Sequence, residues 1–271
     1  VVAETIGDLF AQTRADAVII AVNEVAVEVV FSAALSHDWL ILVEKPLGLD
    51  IVQTRRILKL SGHRKTQCFV ALNRRQYSSV TLAESNLERD ASQRFVTICD
   101  QEDPAIALAS GRNEEVCRQW HFANSIHLVD LFFVFCRGHV NSVFCAQPVG
   151  AAFEQSIGHF VILFSSGDIG VFHTVWNMPA PWSVAIETAQ KRLQLMPIEE
   201  LTIQEYGSRH REAIRLSDDD KIAKPGFVRQ IEELKSVFLK KTHNLVSLDQ
   251  YCISAELLEQ IFGQENRTAL R

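Results

Sequence analysis

Three short runs of apolar and β-branched residues near the start of the chain constrain its fold more than any other feature. The runs span residues 16–22, 40–43 and 67–72. Such runs are typical of strands buried on both faces of a parallel sheet. Between and before them, apolar residues recur at helical spacing, which predicts helices at 6–14, 24–36 and 50–61. Strands that alternate with helices form right-handed βαβ units, so we predict an α/β domain with a parallel sheet over residues 1–73.

After residue 73 the alternation stops and strands follow one another closely. The patterns predict strands at 94–99, 140–146, 159–164 and 170–176, with further strand-like segments through 182–215. They predict a hairpin turn at 165–168, irregular structure at 102–118, and helices at 79–89, 122–135, 227–239 and 248–262. A run of strands set apart from βα alternation indicates an α+β domain with a large, mostly antiparallel sheet over residues 74–271. Its last helices could pack back on the first domain.

The second apolar run ends in the sequence Glu44-Lys45-Pro46. Charged residues at the end of a buried strand lie at the carboxyl edge of the sheet, where open α/β sheets bind ligands. A partly desolvated lysine has a lowered pKa and is suited to proton chemistry. The alternative is that Glu44 and Lys45 form a surface ion pair that contributes little to stability.

Composition and charge exclude several classes of protein. Apolar residues make up 47% and charged residues 22% of the 271 residues, as in a globular protein with a sizeable core. The net charge is −6 and no stretch is strongly basic, so we expect no nucleic-acid partner. The longest apolar runs are shorter than a membrane span, and the first residues lack the pattern of a signal peptide. We expect a cytoplasmic protein with no membrane partner.

The cysteines favour a reducing environment over a disulfide framework or a metal site. They lie at positions 68, 99, 117, 136, 145 and 252, mostly inside apolar segments, and none forms a C-x-x-C pair. Buried free thiols of the cytosol fit this pattern. The spacing typical of zinc ligands is missing from the sequence, so we expect no metal.

Several short motifs occur in a characteristic order along the whole chain. They are the strand at 16–21, Glu44-Lys45-Pro46, Ala71-Leu72-Asn73-Arg74-Arg75, the segment from Asn124 to Asp130 with His127, and Gly226-Phe227 at the start of a late helix. In this order they resemble the Gfo/Idh/MocA family of NAD(P)-dependent oxidoreductases. Each motif alone is weakly specific. The combination of Glu-Lys-Pro at a strand end with a later His-x-x-Asp on a helix is more specific.

The resemblance implies a fold, a cofactor and a set of site residues. It implies a truncated Rossmann-like domain at 1–73, a substrate-binding and oligomerisation domain at 74–271, and therefore a homo-oligomer. It implies NAD or NADP as the cofactor and a small carbohydrate-like molecule as the substrate. Carried over position by position, it assigns catalysis to Lys45, His127 and Asp130, cofactor binding to Asn23, Glu44, Lys45 and Pro46, and substrate binding to Arg74, Tyr77 and Asn124.

The implied roles agree with the chemistry of hydride transfer. Oxidation of a secondary alcohol requires loss of the hydroxyl proton, and a histidine such as His127 suits this step because its pKa lies near neutral pH. Asp130 lies at i+3 from His127, so on a helix it would share a face with the imidazole and could orient it. The ammonium of Lys45 would stabilise the developing alkoxide.

Two features depart from the family pattern. The sequence has no G-x-G-x-x-G motif, since Gly7 is isolated and the next glycine is Gly48. We therefore expect that at least one βαβ unit of ~30 residues is missing, through truncation or a misassigned start, and that the chain binds NAD(P) poorly. Many family members carry an aspartate four positions before the histidine, where this chain has Ala123.

Two functions remain open from the sequence. The first is an oxidoreductase that transfers a hydride between NAD(P) and a hydroxyl or keto carbon of a sugar, cyclitol or nucleotide-linked sugar. The alternative is a non-catalytic family member, a ligand-sensing or structural subunit, which Ala123 and the missing glycine motif favour. A member that eliminates or hydrolyses through a redox cycle would carry the same residues. His127 could also be a core histidine satisfied by Asp130, and Arg74 could lie on a solvated turn.

Overall fold

A computed structural model describes residues 2–263 of the chain. In these residues the helices are α1 (Ile6–Gln12), α2 (Val27–Ala34), α3 (Ile51–Ser61), α4 (Ser78–Leu87), α5 (Pro104–Ala109), α6 (Glu114–Arg118), α7 (Ile126–Val129), α8 (Phe132–Phe135), α9 (Asp219–Ile222), α10 (Phe227–Phe238) and α11 (Leu248–Phe262). The strands are β1 (Ala17–Ile20), β2 (Leu40–Glu44), β3 (Cys68–Ala71), β4 (Phe95–Glu102), β5 (Val140–Gln147), β6 (Ser156–Phe164), β7 (Ile169–Trp176), β8 (Ser183–Glu187), β9 (Lys191–Leu195), β10 (Thr202–Glu205), β11 (Glu212–Ala213) and β12 (Val246–Ser247).

The first sheet has the strand order β1-β2-β3-β12, and β1, β2 and β3 run parallel to one another. The first four residues of β2 are fully buried because helices cover both faces of a parallel sheet. Asp50 caps the following helix α3 by accepting a hydrogen bond from the backbone nitrogen of Gln53 at 2.6 Å. The predicted parallel sheet is confirmed, and the carboxyl ends of β1, β2 and β3 form one edge.

β1 differs from the prediction of a strand buried on both faces. It spans four residues rather than seven, and the side chain of Ile19 within it is 52% exposed. Among the described strands, β1 pairs only with β2 and so lies at the edge of the sheet. Apolar composition alone does not distinguish an edge strand from a central strand, which is why the sequence was misleading here.

The second sheet has the strand order β11-β10-β9-β8-β4-β7-β6-β5. Neighbouring strands pair antiparallel throughout, except for β4 and β7, which are parallel. Alternate residues of β6 and β8 are buried, as expected for a sheet with one face on the core. The predicted large, mostly antiparallel sheet is therefore confirmed, as is the α/β plus α+β architecture.

Two segments, 122–135 and 102–118, differ from their predicted secondary structure. The predicted helix at 122–135 is interrupted: a π-helical turn at His121–Ser125 leads into α7, and α8 follows after a break. The segment predicted to be irregular, 102–118, instead holds α5 and α6. Their start signals are present in the sequence, since Pro104 occupies the first turn of α5 and Asn113 caps α6.

The end of the described chain returns to the first sheet. β12 pairs with β3, and α11 packs along α3. A capping box of Ser247 and Gln250 starts α11 at this point. One continuous hydrophobic core runs from the first sheet to the second, so the division at residue 73 stays a prediction. No helix within residues 2–263 is long and apolar enough to cross a membrane.

Candidate active site

Lys45 lies at the carboxyl end of β2, at the edge that the sequence predicts to bind a ligand. Its Nζ donates a hydrogen bond to the backbone oxygen of Ala123 at 2.6 Å, which links the first sheet to the π-helical turn. Burial, together with the nearby Arg74, lowers the pKa of Lys45 to about 8 against the opposing effect of Glu44. A lysine with this pKa carries its proton only part of the time near neutral pH. The alternative of a surface ion pair is therefore not what the structure contains, since Lys45 pairs with no carboxylate among residues 2–263.

His127 lies on α7 and is only 3% exposed. Burial lowers its pKa well below the usual value, and the positive charges of Arg74 and Lys45 add to this effect. The imidazole is consequently neutral at physiological pH. Its buried Nδ1 has no hydrogen-bond partner within the described residues. Buried polar atoms are nearly always paired, so the unpaired nitrogen of His127 is an unusual feature of this region.

The sequence predicts that Asp130 orients the imidazole of His127, but the structure shows no hydrogen bond between these two residues. Its carboxylate accepts hydrogen bonds from Nε and Nη2 of Arg75 and from the hydroxyl of Ser254, the last two at 2.7 Å. The hydrogen bond to His127 is not formed because the charged, planar guanidinium of Arg75 is the stronger partner for a buried carboxylate. Asp130 thus joins the turn after β3 to α11 and holds three elements together.

Arg74 and Arg75 are neighbours in sequence with opposite surroundings. Arg75 is paired with Asp130, whereas Arg74 forms no ion pair within residues 2–263. The Arg74 guanidinium instead lies 4.1 Å from the ring centre of Trp182, and its Nε is buried without an acceptor. Burial lowers the pKa of Arg74, and the nearby Tyr77 and Glu102 only partly oppose this. The alternative of a solvated turn does not describe Arg74.

Two buried acids on β4, Asp100 and Glu102, were missed by sequence reasoning. They are 0% and 3% exposed, and their alternate spacing places both on the helix-facing side of the strand. Burial raises the pKa of Asp100 to about 6, and burial together with the negative charge of Asp100 raises that of Glu102 well above its usual value. Both shifts favour the neutral form of these carboxyl groups. The signal in the sequence is the D-x-E alternation at 100–102, which lies just beyond the predicted strand at 94–99.

Glu102 connects these acids to the predicted site. It accepts hydrogen bonds from Nε1 of Trp120 at 2.5 Å and from Nδ2 of Asn124 at 2.8 Å. Asn124 lies one helical turn before His127, so this bond fixes the π-helical turn against β4. Asn124, which is predicted to bind substrate, is half-buried. It follows Ala123, whose backbone oxygen accepts the hydrogen bond from Lys45.

The remaining predicted residues lie around this centre. Asn23 is exposed at the end of β1, where its Oδ1 accepts a hydrogen bond from the nitrogen of Val25 at 3.1 Å. Glu44 is half-buried and its pKa is raised by burial, while Pro46 is buried. Tyr77 is 7% exposed and offers little surface to a ligand. The structure thus brings together Lys45, Arg74, Asn124 and His127, with Glu44, Pro46 and Asn23 along the sheet edge.

The turn that carries Arg74 is held in place by the segment before α10. Asp220 accepts hydrogen bonds from the backbone nitrogens of Ser78 and Gly226, both at 2.8 Å, and Asn73 donates to the oxygen of Pro225. Gly226 has φ +78°, and a Cβ there would lie 2.3 Å from the backbone oxygen of Asn73. Only glycine permits this close approach. The predicted Gly226-Phe227 helix start therefore positions the Arg74 turn.

Clusters of possible metal ligands and the state of the cysteines bear on this site. Within the described residues, no three His, Cys, Asp or Glu side chains are grouped so as to hold a metal ion. All six cysteines carry free thiols, and all except Cys145 are buried, as the sequence predicted.

Solved structures share this architecture. A dehydrogenase from Chromobacterium violaceum matches with a TM-score of 0.79 at 15% identity, covering 99% of this chain and 84% of that chain. UDP-N-acetylglucosamine 3-dehydrogenase GnnA from Acidithiobacillus ferrooxidans matches with a TM-score of 0.75 at 14% identity, covering 96% of this chain and 81% of that chain. The chain has the fold of these dehydrogenases.

A third neighbour was solved with its ligands. The WlbA dehydrogenase from Bordetella pertussis, in complex with NADH and UDP-GlcNAcA, matches with a TM-score of 0.72 at 15% identity, over 97% of this chain and 81% of that chain. No protein-family model matches this chain, and no curated protein matches it in sequence. At such low identities the likeness establishes the fold.

Proposed function

We propose that this protein is an oxidoreductase that transfers a hydride between NAD(P) and a hydroxyl or keto carbon of a sugar, cyclitol or nucleotide-linked sugar. The observation that carries the proposal is Lys45, a desolvated amine with a pKa of about 8 at the carboxyl edge of a parallel sheet. The shared fold of NADH-bound and sugar-nucleotide dehydrogenases supports the same reaction class. A group with a pKa near the working pH is suited to moving the hydroxyl proton.

In the direction of oxidation, the neutral amine of Lys45 takes the proton of the substrate hydroxyl as the carbon–hydrogen bond is broken. In reduction, the ammonium returns that proton to the forming alkoxide. Arg74 stabilises the alkoxide by its fixed charge. His127 is neutral, so it orients the substrate through its unpaired nitrogen and can accept a proton but does not supply one at neutral pH.

The residues at the sheet edge fit the nicotinamide end of the cofactor. Val22 and Val25 at the end of β1 are 39% and 43% exposed and offer apolar contact to a flat ring, with Asn23 between them. Pro46 and Lys45 face the same edge from β2. When bound, NAD(P) supplies the hydride acceptor or donor. The described residues contain no glycine-rich phosphate cradle, so these side chains account for the nicotinamide end alone.

A second candidate function follows from the same site. Ala123, which occupies the position of an aspartate in many members of the Gfo/Idh/MocA family, favours a ligand-sensing or structural protein that binds the sugar without turnover. In that case the unpaired Arg74 and His127 would bind ligand, and Lys45 would serve only to link β2 to Ala123.

Turnover of the purified chain tests the proposal. We would follow the reduction of NAD+ and NADP+ with UDP-glucose, UDP-N-acetylglucosamine, D-glucose and myo-inositol, and with the sugar acids UDP-glucuronate and D-glucuronate. We expect activity with at least one of them, lost in Lys45→Met and kept in Lys65→Met, an exposed lysine paired with Asp249. Binding of a sugar with no turnover in any combination would favour the sensing alternative.

We also propose that the second sheet forms a homo-oligomer interface. Phe95, Phe144 and Ile157 are 43%, 56% and 49% exposed on strands of this sheet, and they point away from its helices. Apolar side chains on an open sheet face favour burial against a second copy. Light scattering should give more than one chain per particle for the wild type and a monomer for Phe144→Glu.

A further inference from the structure

Arg74 is a half-buried guanidinium with no counter-ion in the described part of the chain. We propose that Arg74 receives a carboxylate of the substrate, so that the protein acts on a sugar acid, free or nucleotide-linked, rather than on a neutral sugar. This inference deepens the proposed function and rests on it for the location of the reacting carbon near Lys45.

The first argument is the contrast with other arginines of the chain. Most arginines of comparable burial donate to identified acceptors, namely Arg64, Arg75, Arg94, Arg137 and Arg192, whereas Arg229 on α10 has no acceptor among the described residues. The side chain of Arg74 makes no hydrogen bond to any of residues 2–263, and its Nε is fully shielded from water. A desolvated guanidinium without acceptors is unfavourable unless a ligand provides them.

The second argument is that neither nearby acid pairs with Arg74. Glu102 accepts from Trp120 and Asn124, and Asp100 lies 3.5 Å from the hydroxyl of Thr174, while its Oδ1 has no partner among the described residues. Neither acid forms an ion pair with Arg74. Burial raises the pKa of both carboxyl groups and so disfavours the negative charge that could offset Arg74 and Lys45. An incoming anion would relieve the repulsion between these two cations.

The third argument is that Arg74 is held ready for a ligand. The ring of Trp182 lies beneath its guanidinium, and Nε1 of Trp182 in turn donates to the backbone oxygen of Gln101. Asp220 and Gly226 fix the turn on which Arg74 lies. A group already ordered before binding loses less conformational entropy when the ligand arrives.

The surroundings favour a carboxylate over a phosphate. Phosphate sites usually add backbone nitrogens at a helix start, and α4 starts at Ser78, close to Arg74. The nitrogen of Ser78 is already bonded to Asp220, which places a negative charge at that helix start. A single planar guanidinium matches the two oxygens of a carboxylate.

Equilibrium binding tests this inference without any turnover. We would titrate the full chain by calorimetry with two pairs of probes that differ by one carboxylate: D-glucuronate against D-glucose, and UDP-glucuronate against UDP-glucose. Inorganic phosphate is the third arm. In at least one pair the acid should bind about tenfold to a hundredfold more tightly, as expected for charged hydrogen bonds. Arg74→Met should abolish the preference, while Arg192→Met on β9 should keep it.

Arg74→Lys is a control for a folding defect in Arg74→Met because it keeps the positive charge. It should fold and lose most of the preference for the acid, since lysine lacks the planar fork. A preference unchanged in Arg74→Met would overturn the inference, as would equal affinity of the wild type for acid and neutral probes. Phosphate or UDP-glucose binding that depends on Arg74, without a carboxylate preference, would identify a phosphate site instead. Turnover of neutral sugars alone would overturn the inference and leave the proposed function intact.

Discussion

Two groups of buried charges lie close together on either side of the helical segment 121–135, and they differ in whether each charge has a partner. In the Asp130 cluster, formed by Arg75, Asp130 and Ser254, the carboxylate is fully engaged. In the candidate site, formed by Lys45, Arg74, Glu102, Asn124 and His127, the cations have no ion-pair partner among residues 2–263, and Lys45 has a pKa of about 8. Paired charges stabilise the fold, whereas desolvated unpaired charges mark a place for chemistry.

The largest expected difference is in stability. Asp130→Ala leaves Arg75 desolvated without its partner and should lower the free energy of unfolding by about 3–5 kcal/mol. Arg74→Met removes an unpaired cation and should change it by less than about 1 kcal/mol. Urea denaturation at neutral pH measures both. Equal losses in the two variants would mean that Arg74 is as structural as Arg75.

The next effect is on catalysis. Lys45→Met should lower kcat by about 10²-fold or more because the proton-transfer group is lost, and the fold should survive. The variant loses one hydrogen bond, to Ala123, and one desolvated charge, so the two effects on stability oppose each other. Steady-state kinetics and thermal unfolding together check this. Wild-type kcat in the variant would remove Lys45 from the mechanism.

The pH range over which stability changes should differ between the unpaired Lys45 and the paired Asp168. Lys45 titrates near 8 in the folded protein and near 10.5 when unfolded, so stability rises with pH across that interval, by up to about 3 kcal/mol. Lys45→Met should lack this rise. A wild type and variant with parallel alkaline profiles would contradict the lowered pKa.

Asp168 provides the paired counterpart of Lys45. Burial alone would raise its pKa, but hydrogen bonds from Arg137 and from the backbone nitrogen of Arg94 lower it to about 2. Its contribution, about 2 kcal/mol, is therefore present above pH 3.8 and lost as the pH falls through about 2. Asp168→Asn should be less stable than the wild type at pH 7, and acid titration of unfolding should show the difference shrinking below pH 3.8.

The smallest effect concerns Glu102. Burial raises the pKa of Glu102 and favours its neutral form, so Glu102→Gln, which is neutral and of similar shape, should cost about 1 kcal/mol or less. Asp130→Asn replaces an ionised partner of Arg75 and should cost more. Chemical denaturation of this matched pair would show the order. A larger loss in Glu102→Gln would indicate that Glu102 is ionised.

The sequence predicted the elements whose signals are local. The apolar runs indicated β2 and β3, and Glu44-Lys45-Pro46 indicated the edge where Lys45 lies. Helix start signals at Pro104 and Asn113 are present in a segment that, with Gly111 inside it, was predicted to be irregular. A weaker pattern, such as the D-x-E alternation on β4, could have identified Asp100 and Glu102.

Partners brought together by tertiary packing could not be predicted from sequence. Asp130 pairs with Arg75 from 55 positions away, and its predicted partner His127 is only three positions away. Similarly, nothing in Arg74-Arg75 indicates which arginine will be paired. The answer depends on Asp130, Trp182 and the Asp220 segment, which come from distant parts of the chain.

The titration of Lys45 is the most direct test of the difference between paired and unpaired charges. Nuclear magnetic resonance of lysine labelled at Cε, with Lys45→Met for assignment, would follow its protonation in the folded chain. We expect a pKa of about 8 that rises in Arg74→Met, because the nearby cation is removed, and stays unchanged in Arg192→Met. A pKa near 10.5, unaffected by Arg74→Met, would contradict the assignment of this region as a site for proton chemistry.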